Sequence, residues 1–316
     1  MNSRIVLSLL AALHPCLINC STKPKIDLAL TGSGAAIKSS VATNGNGLAL
    51  AIGLNSFSTD SYGWDGKLKG CEFDANDMAA IARSQGFKTS TLLTKNATKI
   101  AVRKAIRSAA DTLKSGDTYV LSYSGHGAYV DDTNDDEDDD FDETWCLYDG
   151  PMVDDELAQL WSKFKPGVRI LVFSDSCHSG TVTKAFRDKT TGKVEQIPEN
   201  PLTKGFTDAQ LKALQQRPEN KKLDNGLPTD MDSAEATGAS VVLISACLDR
   251  QEASDGARNS KFTAELRKVW ARDRFGNSLT GFHEAIARNM PRKQTPKYFL
   301  TGTLNTSFQA QRPWAK

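Results

Sequence analysis

Ile170–Gly180 reads ILVFSDSCHSG. Ile170, Leu171, Val172 and Phe173 run without a break into small and polar residues, with Cys177 and His178 at the turn. A short unbroken apolar run ending in a Ser/Gly cluster is the pattern of a strand covered on both faces, as in parallel sheets. In open parallel sheets, chemistry gathers just beyond the carboxyl ends of the strands. A thiol delivered there is a candidate nucleophile, although a lone cysteine reads first as a small core residue.

Outward from this stretch, strands and helices alternate. Leu48–Leu54, Lys88–Leu93 and Thr118–Tyr123 read as strands, and Phe73–Gln85 as a helix ended by Gly86. A helical stripe follows over Ile100–Leu113, then a short strand at Thr144–Leu147 and an amphipathic helix at Asp154–Phe164. Ser240–Ser245, helices around Phe262–Arg272 and Ser278–Met290, and a strand at Tyr298–Leu300 complete the chain. The alternation predicts an α/β fold with a largely parallel sheet. Residues 47–182 form a first part carrying His126 and Cys177, and 238–316 a second part completing the same sheet. Between them 183–237, rich in Lys, Gln, Asn, Pro and Thr, reads as an exposed insertion with a short helix at Asp208–Gln215.

The net charge of +1 offers no argument for nucleic acid as a partner. At the amino end, Arg4 precedes an apolar run from Ile5 to Leu13, too short to span a bilayer. Residues 1–20 therefore read as an export leader, and 21–46 as a linker. Two versions stay open: a plain secretory peptide, or a bacterial lipoprotein signal with Cys20 as the lipidated residue, against which stands Asn19 before it. Either version predicts an exported, periplasmic or lipid-anchored protein. Cys71, Cys146, Cys177 and Cys247 show no zinc spacing and read as reduced core thiols. A monomer is expected.

A cysteine nucleophile needs a base and a pair of oxyanion donors. Of the four histidines, His14 lies in the leader and His283 within a predicted helix. His178 adjoins Cys177 on an extended turn, where neighbouring side chains diverge. His126 remains, at the end of the Thr118–Tyr123 strand and between two glycines. The amides of Gly127 and Cys177 are the candidate oxyanion donors. Asp175, two residues before Cys177, lies on the same strand face and suits a basic residue before the scissile bond.

YSGHG at Tyr123–Gly127 and DSCHSG at Asp175–Gly180 together resemble the caspase-like cysteine peptidases, and among them the type I metacaspases. LKGCEFDANDM around Cys71, VDDEL at Val153–Leu157 and ISACLDRQEASDG at Ile244–Gly256 extend the resemblance. It implies a three-layer fold with a six-stranded central sheet and helices on both faces. It further implies a His126/Cys177 dyad and a pocket for Arg or Lys containing Asp74 and Ser124 beside Asp175. Asp74 reads independently as a carboxylate favoured at a helix start.

Asp131 to Glu143 holds ten carboxylates in thirteen positions. Hard oxygen ligands at such density suit Ca²⁺. The resemblance assigns calcium to Asp142, Asp154 and Asp155, whereas the position of a fourth family aspartate is Lys184. Lys184, Arg187, Lys189, Lys193, Lys204 and Arg217 within the insertion are candidate self-cleavage sites. The function expected is a calcium-stimulated cysteine endopeptidase acting on proteins or peptides after Arg or Lys. The alternatives are a calcium-responsive, non-catalytic regulatory module on the same fold, and a Cys/His acyl transferase.

Overall fold

Apolar runs with few charges make the central strands, because a strand covered on both faces has no solvent side to keep polar. In the computed structural model they form one six-stranded sheet, β2-β1-β3-β7-β8-β9. Its strands are β1 (Gly47–Gly53), β2 (Lys88–Leu93), β3 (Thr118–Ser124), β7 (Arg169–Asp175), β8 (Ser240–Ser245) and β9 (Lys297–Gly302). All neighbours run parallel except β8 and β9. The structure describes residues 45–132, 141–177, 203–220, 223, 237–248, 251–271 and 274–316, all within one compact unit.

The two sheet faces carry alternate residues of the same strands. Leu50, Ile52, Leu121, Ile170 and Val172 face one core, closed by α3 (Lys99–Thr112) and α4 (Asp154–Trp161). Ala49, Ala51, Val120, Leu171 and Phe173 face the other. That second core is closed by α2 (Cys71–Ser84), α6 (Lys261–Trp270), α7 (Leu279–Ala287) and α8 (Thr306–Gln309). The expected three-layer α/β fold with a mostly parallel six-stranded sheet is therefore the fold observed. Cys71, Cys146, Cys177 and Cys247 are free and buried, as expected.

Two features depart from the sequence reading. A second, antiparallel sheet, β4 (Gly127–Asp131), β5 (Phe141–Leu147) and β6 (Gly150–Val153), was not expected apart from part of β5. The second departure concerns 183–237. Helix α5 (Asp208–Gln215) forms where expected, with a Thr207/Gln210 capping box. Yet Lys204, Phe206, Leu211, Leu214 and Asn220 are buried, so within 203–220 the reading as exposed insertion fails at these five positions. Polar composition concealed a few apolar anchors and one buried cation, which the tertiary structure pairs. Lys184, Arg187, Lys189, Lys193, His178, the leader and the linker to residue 44 lie outside the described residues. No helix among the described residues is long and apolar enough to cross a membrane.

Candidate active site

The chain order places β3 beside β7 in register, with Ser124 opposite Asp175. Gly125 continues the ladder, its amide donating to the Asp175 carbonyl at 3.3 Å. Both strands then end, and His126 and Cys177 each stand two residues beyond that last pair. Equal overhang on paired strands sets the two at adjoining strand ends, although the sequence separates them by about fifty residues. Gly127 passes so close to the Cys177 backbone that a Cβ there would lie 1.8 Å from the Cys177 carbonyl oxygen.

His126 is buried and held from both ends. Its carbonyl accepts from the Cys146 amide at 3.1 Å and from the Tyr123 hydroxyl at 2.7 Å. Its Nε2 lies 3.2 Å from the Gly66 carbonyl oxygen, which can only accept. A neutral ring protonated at Nε2 donates to that carbonyl and leaves its lone pair on Nδ1. Burial pulls the imidazole pKa down to about 4, against the upward pull of the Lys204 and Gly66 backbone. Burial pushes the Cys177 thiol well above its ordinary value, Cys247 adding to the push. Cys177 Sγ accepts from the Ala253 amide at 3.0 Å. The pair is thus a neutral thiol and a neutral imidazole in this state.

The side expected to bind substrate is filled by the chain itself. Thr203 bridges Ser254 in antiparallel fashion, and the Lys204 amide donates to the Ala253 carbonyl at 2.9 Å. The Lys204 carbonyl accepts from the Gly127 amide at 3.1 Å. A Cβ on Gly205 would lie 3.5 Å from Cys177 Sγ. The Lys204–Gly205 peptide bond therefore lies at the thiol, with its carbonyl on one of the two amides expected to hold an oxyanion.

The Lys204 side chain ends in a closed acidic pocket and is 0% exposed. Its Nζ donates to Asp175 Oδ1 at 2.7 Å, the Asp175 carbonyl at 2.7 Å and Ser124 Oγ at 2.9 Å, and Asp74 Oδ2 stands 3.7 Å away. Burial alone would push this ammonium down, but Asp175 and Asp74 hold it above its ordinary value. An ammonium has three protons to donate, and all three find oxygen, which a buried charge requires. Asp175 Oδ2 is held in turn by the Thr263 amide at 3.1 Å and hydroxyl at 2.7 Å. Asp74 accepts from Ser124 Oγ at 2.7 Å and from Ser260 Oγ at 2.5 Å. Asp74, Ser124 and Asp175, expected as one pocket, are brought together around one lysine.

Sequence reasoning missed Lys204 as occupant, Ala253 as backbone partner, and Ser260 and Thr263 as supports. It also missed an aromatic cluster of Phe57, Tyr62, Trp64 and Phe206 around His126. The one legible signal was three aromatics within Phe57–Trp64, a stretch otherwise of turn residues.

Asp142, Asp154 and Asp155 are all fully buried, on β5 and at the start of α4. Thr144 pairs with Val153, which brings these carboxylates to one end of the small sheet. Among the described residues, however, no three Asp, Glu, His or Cys side chains converge as a metal site.

A parallel sheet that sets an imidazole and a thiol on adjoining strand ends, above a pocket of carboxylates, defines a caspase-type α/β protein. The chain belongs to the caspase domain family, whose model matches residues 46–315. It is similar to Metacaspase-1 of Mycosarcoma maydis, 29% identical over 68% of this chain and 59% of that protein. It is also similar to Metacaspase-1A of Neurospora crassa, 34% identical over 44% of this chain and 33% of that one. The chain therefore spans less than two thirds of the length of these two relatives. Among solved structures, protein GSU0716 from Geobacter sulfurreducens is 44% identical, with a TM-score of 0.73 over 85% of this chain and 98% of that one. Caspase-1 from Spodoptera frugiperda shares the fold at 13% identity and a TM-score of 0.50, over 83% of this chain and 88% of that one.

Proposed function

We propose that this protein is a cysteine endopeptidase that cleaves after Lys or Arg and cuts its own chain after Lys204. The observation carrying the reading is Lys204 itself: its ammonium sits on Asp175 and Ser124 while its carbonyl rests on the Gly127 amide. Family membership supports a peptidase; the acidic pocket supports a basic residue before the scissile bond.

In the reaction, Cys177 Sγ attacks the carbonyl carbon of the basic residue while His126 Nδ1 takes the thiol proton. Gly127 N–H, with the Cys177 amide, stabilises the oxyanion. The C–N bond breaks, His126 passes its proton to the leaving amine, and a thioester remains on Cys177. Water attacks the thioester, His126 takes its proton, and the thiol is regenerated with a free carboxylate as product. A neutral dyad suits this order, because the proton moves as the nucleophile attacks.

The test is incubation of wild-type chain with quenched-fluorescence peptides ending their acyl side in Lys, Arg or Asp. Turnover of the Lys and Arg peptides only, abolished in Cys177→Ala, is the expected result. Equal turnover of the Asp peptide overturns the specificity. In the same experiment a new amino terminus at Gly205 is expected in wild type and absent in Lys204→Ala; fragmentation in Cys177→Ala overturns self-processing.

Calcium stimulation belongs to this reading through the resemblance to the type I metacaspases, which assigns the ion to Asp142, Asp154 and Asp155, all buried at one end of the small sheet. A bound Ca²⁺ there would stiffen that sheet, to which the His126 carbonyl is tied through the Cys146 amide. Activity equal in EGTA and in added Ca²⁺ removes it. Export, with either form of the leader, is part of the same proposal. Mass spectrometry of the mature amino terminus checks it, and an intact Met1 overturns it.

A further inference from the structure

We infer that Phe57, Tyr62 and Trp64 form a specificity pocket for an aromatic side chain on the second residue after the cleaved bond. This rests on reading Lys204 as the residue before that bond. With Lys204 in the acidic pocket and Gly205 at the thiol, Phe206 is the second residue on the leaving side. Its ring lies beside His126, 5.5 Å between centroids and edge-on at 81°. Phe57 stacks on it at 5.9 Å, and Trp64 meets it edge-on at 5.4 Å. Tyr62 stands 6.2 Å away and stacks on Phe57 at 3.9 Å. Such offset and edge contacts are the arrangements aromatic rings favour.

The walls are held without help from Phe206. The Phe57 amide donates to the Asp65 carbonyl at 3.1 Å, and the Tyr62 hydroxyl donates to the Leu147 carbonyl at 2.8 Å. Gly66, at φ +55°, packs against the Phe57 ring so closely that a Cβ would lie 2.3 Å from it. The same Gly66 carbonyl orients the base through Nε2. One loop therefore both fixes the tautomer of His126 and builds the pocket beside it. A filled pocket also excludes water from the imidazole while the leaving amine is protonated. Lysine, a small residue and an aromatic in succession is the substrate pattern that Lys204-Gly205-Phe206 writes into the chain.

The experiment uses peptides with Lys and Gly flanking the cut and Phe, Ala or Asp at the next position. They are assayed on the full-length wild-type chain and on a Lys204→Ala/Phe206→Ala variant that vacates both places. The Phe peptide is expected to exceed the Ala and Asp peptides by about tenfold or more in kcat/KM, as for other apolar pockets. Trp64→Ala, or Trp64→Leu should the first misfold, is expected to lower the Phe peptide toward the Ala peptide and leave the ratio of Lys to Asp cleavage intact. Cleavage of all three peptides at equal rates by the wild-type chain and the double variant overturns the pocket and spares the peptidase reading. Failure of both proteins to cut any lysine peptide, with Cys177 intact, overturns that reading and the pocket with it.

Discussion

Asp74 stands beside the Lys204 ammonium and His126 beside the Phe206 ring, and burial moves their pKa values in opposite directions. Burial lifts the Asp74 carboxyl to about 6, Lys204 pulling it down and Asp175 pushing it up. The imidazole is held down at about 4. Above that value His126 is neutral and able to accept a proton, so the ionisation limiting a basic substrate on the acid side is that of Asp74. As pH falls through about 6, Asp74 gains a proton, the pocket loses negative charge, and its grip on an ammonium weakens. The expected profile is a kcat/KM for lysine peptides that declines on the acid side as Asp74 gains its proton, mainly through KM. Asp74→Asn is expected to lower the plateau and remove that limb; a limb unchanged in the variant assigns it to another group. Stability follows the reverse sign. Because the folded pKa is raised from 3.8, the protonated carboxyl favours the fold, and that contribution fades as pH rises through about 6.

At the scale of elements, the turn between β3 and β4 decides whether the two strand ends can work together. Gly127 starts β4, donates to the Lys204 carbonyl, and passes within Cβ contact of the Cys177 carbonyl. Any side chain there must push the small sheet off the Cys177 backbone. Gly127→Ala is expected to lower kcat by about 100-fold or more, the usual cost of losing an oxyanion donor. Its thermal midpoint should fall by only a few degrees, because the main sheet is untouched. A variant with normal kcat would show that the amide is not a donor. Strands β4 and β6 escaped the sequence reading for local reasons. β4 is a five-residue strand following directly on the His126 turn, and β6 has four residues including Pro151. Longer elements with clear periods, such as α3 and β8, were legible to within a residue or two.

For the whole molecule, the underside of the nucleophile strand is closed by the far end of the chain. Trp314, buried and at φ +56°, stacks on Phe173 of β7 at 5.0 Å and meets Trp270 at 4.7 Å and Phe282 at 5.8 Å. Deleting so large a buried ring leaves a cavity beneath the strand that ends in Cys177. Trp314→Ala is expected to cost about 3–5 kcal/mol of stability. Denaturant unfolding measures this, and alkylation of Cys177 reports whether the site loosens with it. A loss below about 1 kcal/mol would mean that the core closes without this residue.

Legible in the sequence by itself were the largely parallel sheet, the place of His126 and Cys177 at strand ends, and the carboxylate of Asp175 beside the thiol. Each follows from local pattern, because apolar runs set the strands and glycines mark their ends; the resemblance added Asp74, Ser124 and the six-strand count. The occupant of the pocket was decided only in three dimensions. Lys204 sits in a polar, proline-punctuated stretch that gives no periodic signal. What buries it is the charge of Asp175 and Asp74, delivered from β7 and α2, together with a backbone bridge to Ser254. The aromatic pocket is of the same kind. Phe206 meets Phe57, Tyr62 and Trp64 across more than a hundred residues, and only the packed fold brings a side chain in the tether to a loop beside β1. Long-range pairing of this sort depends on complementary surfaces rather than on residue order, so it becomes visible only once the sheet has placed both partners around Cys177.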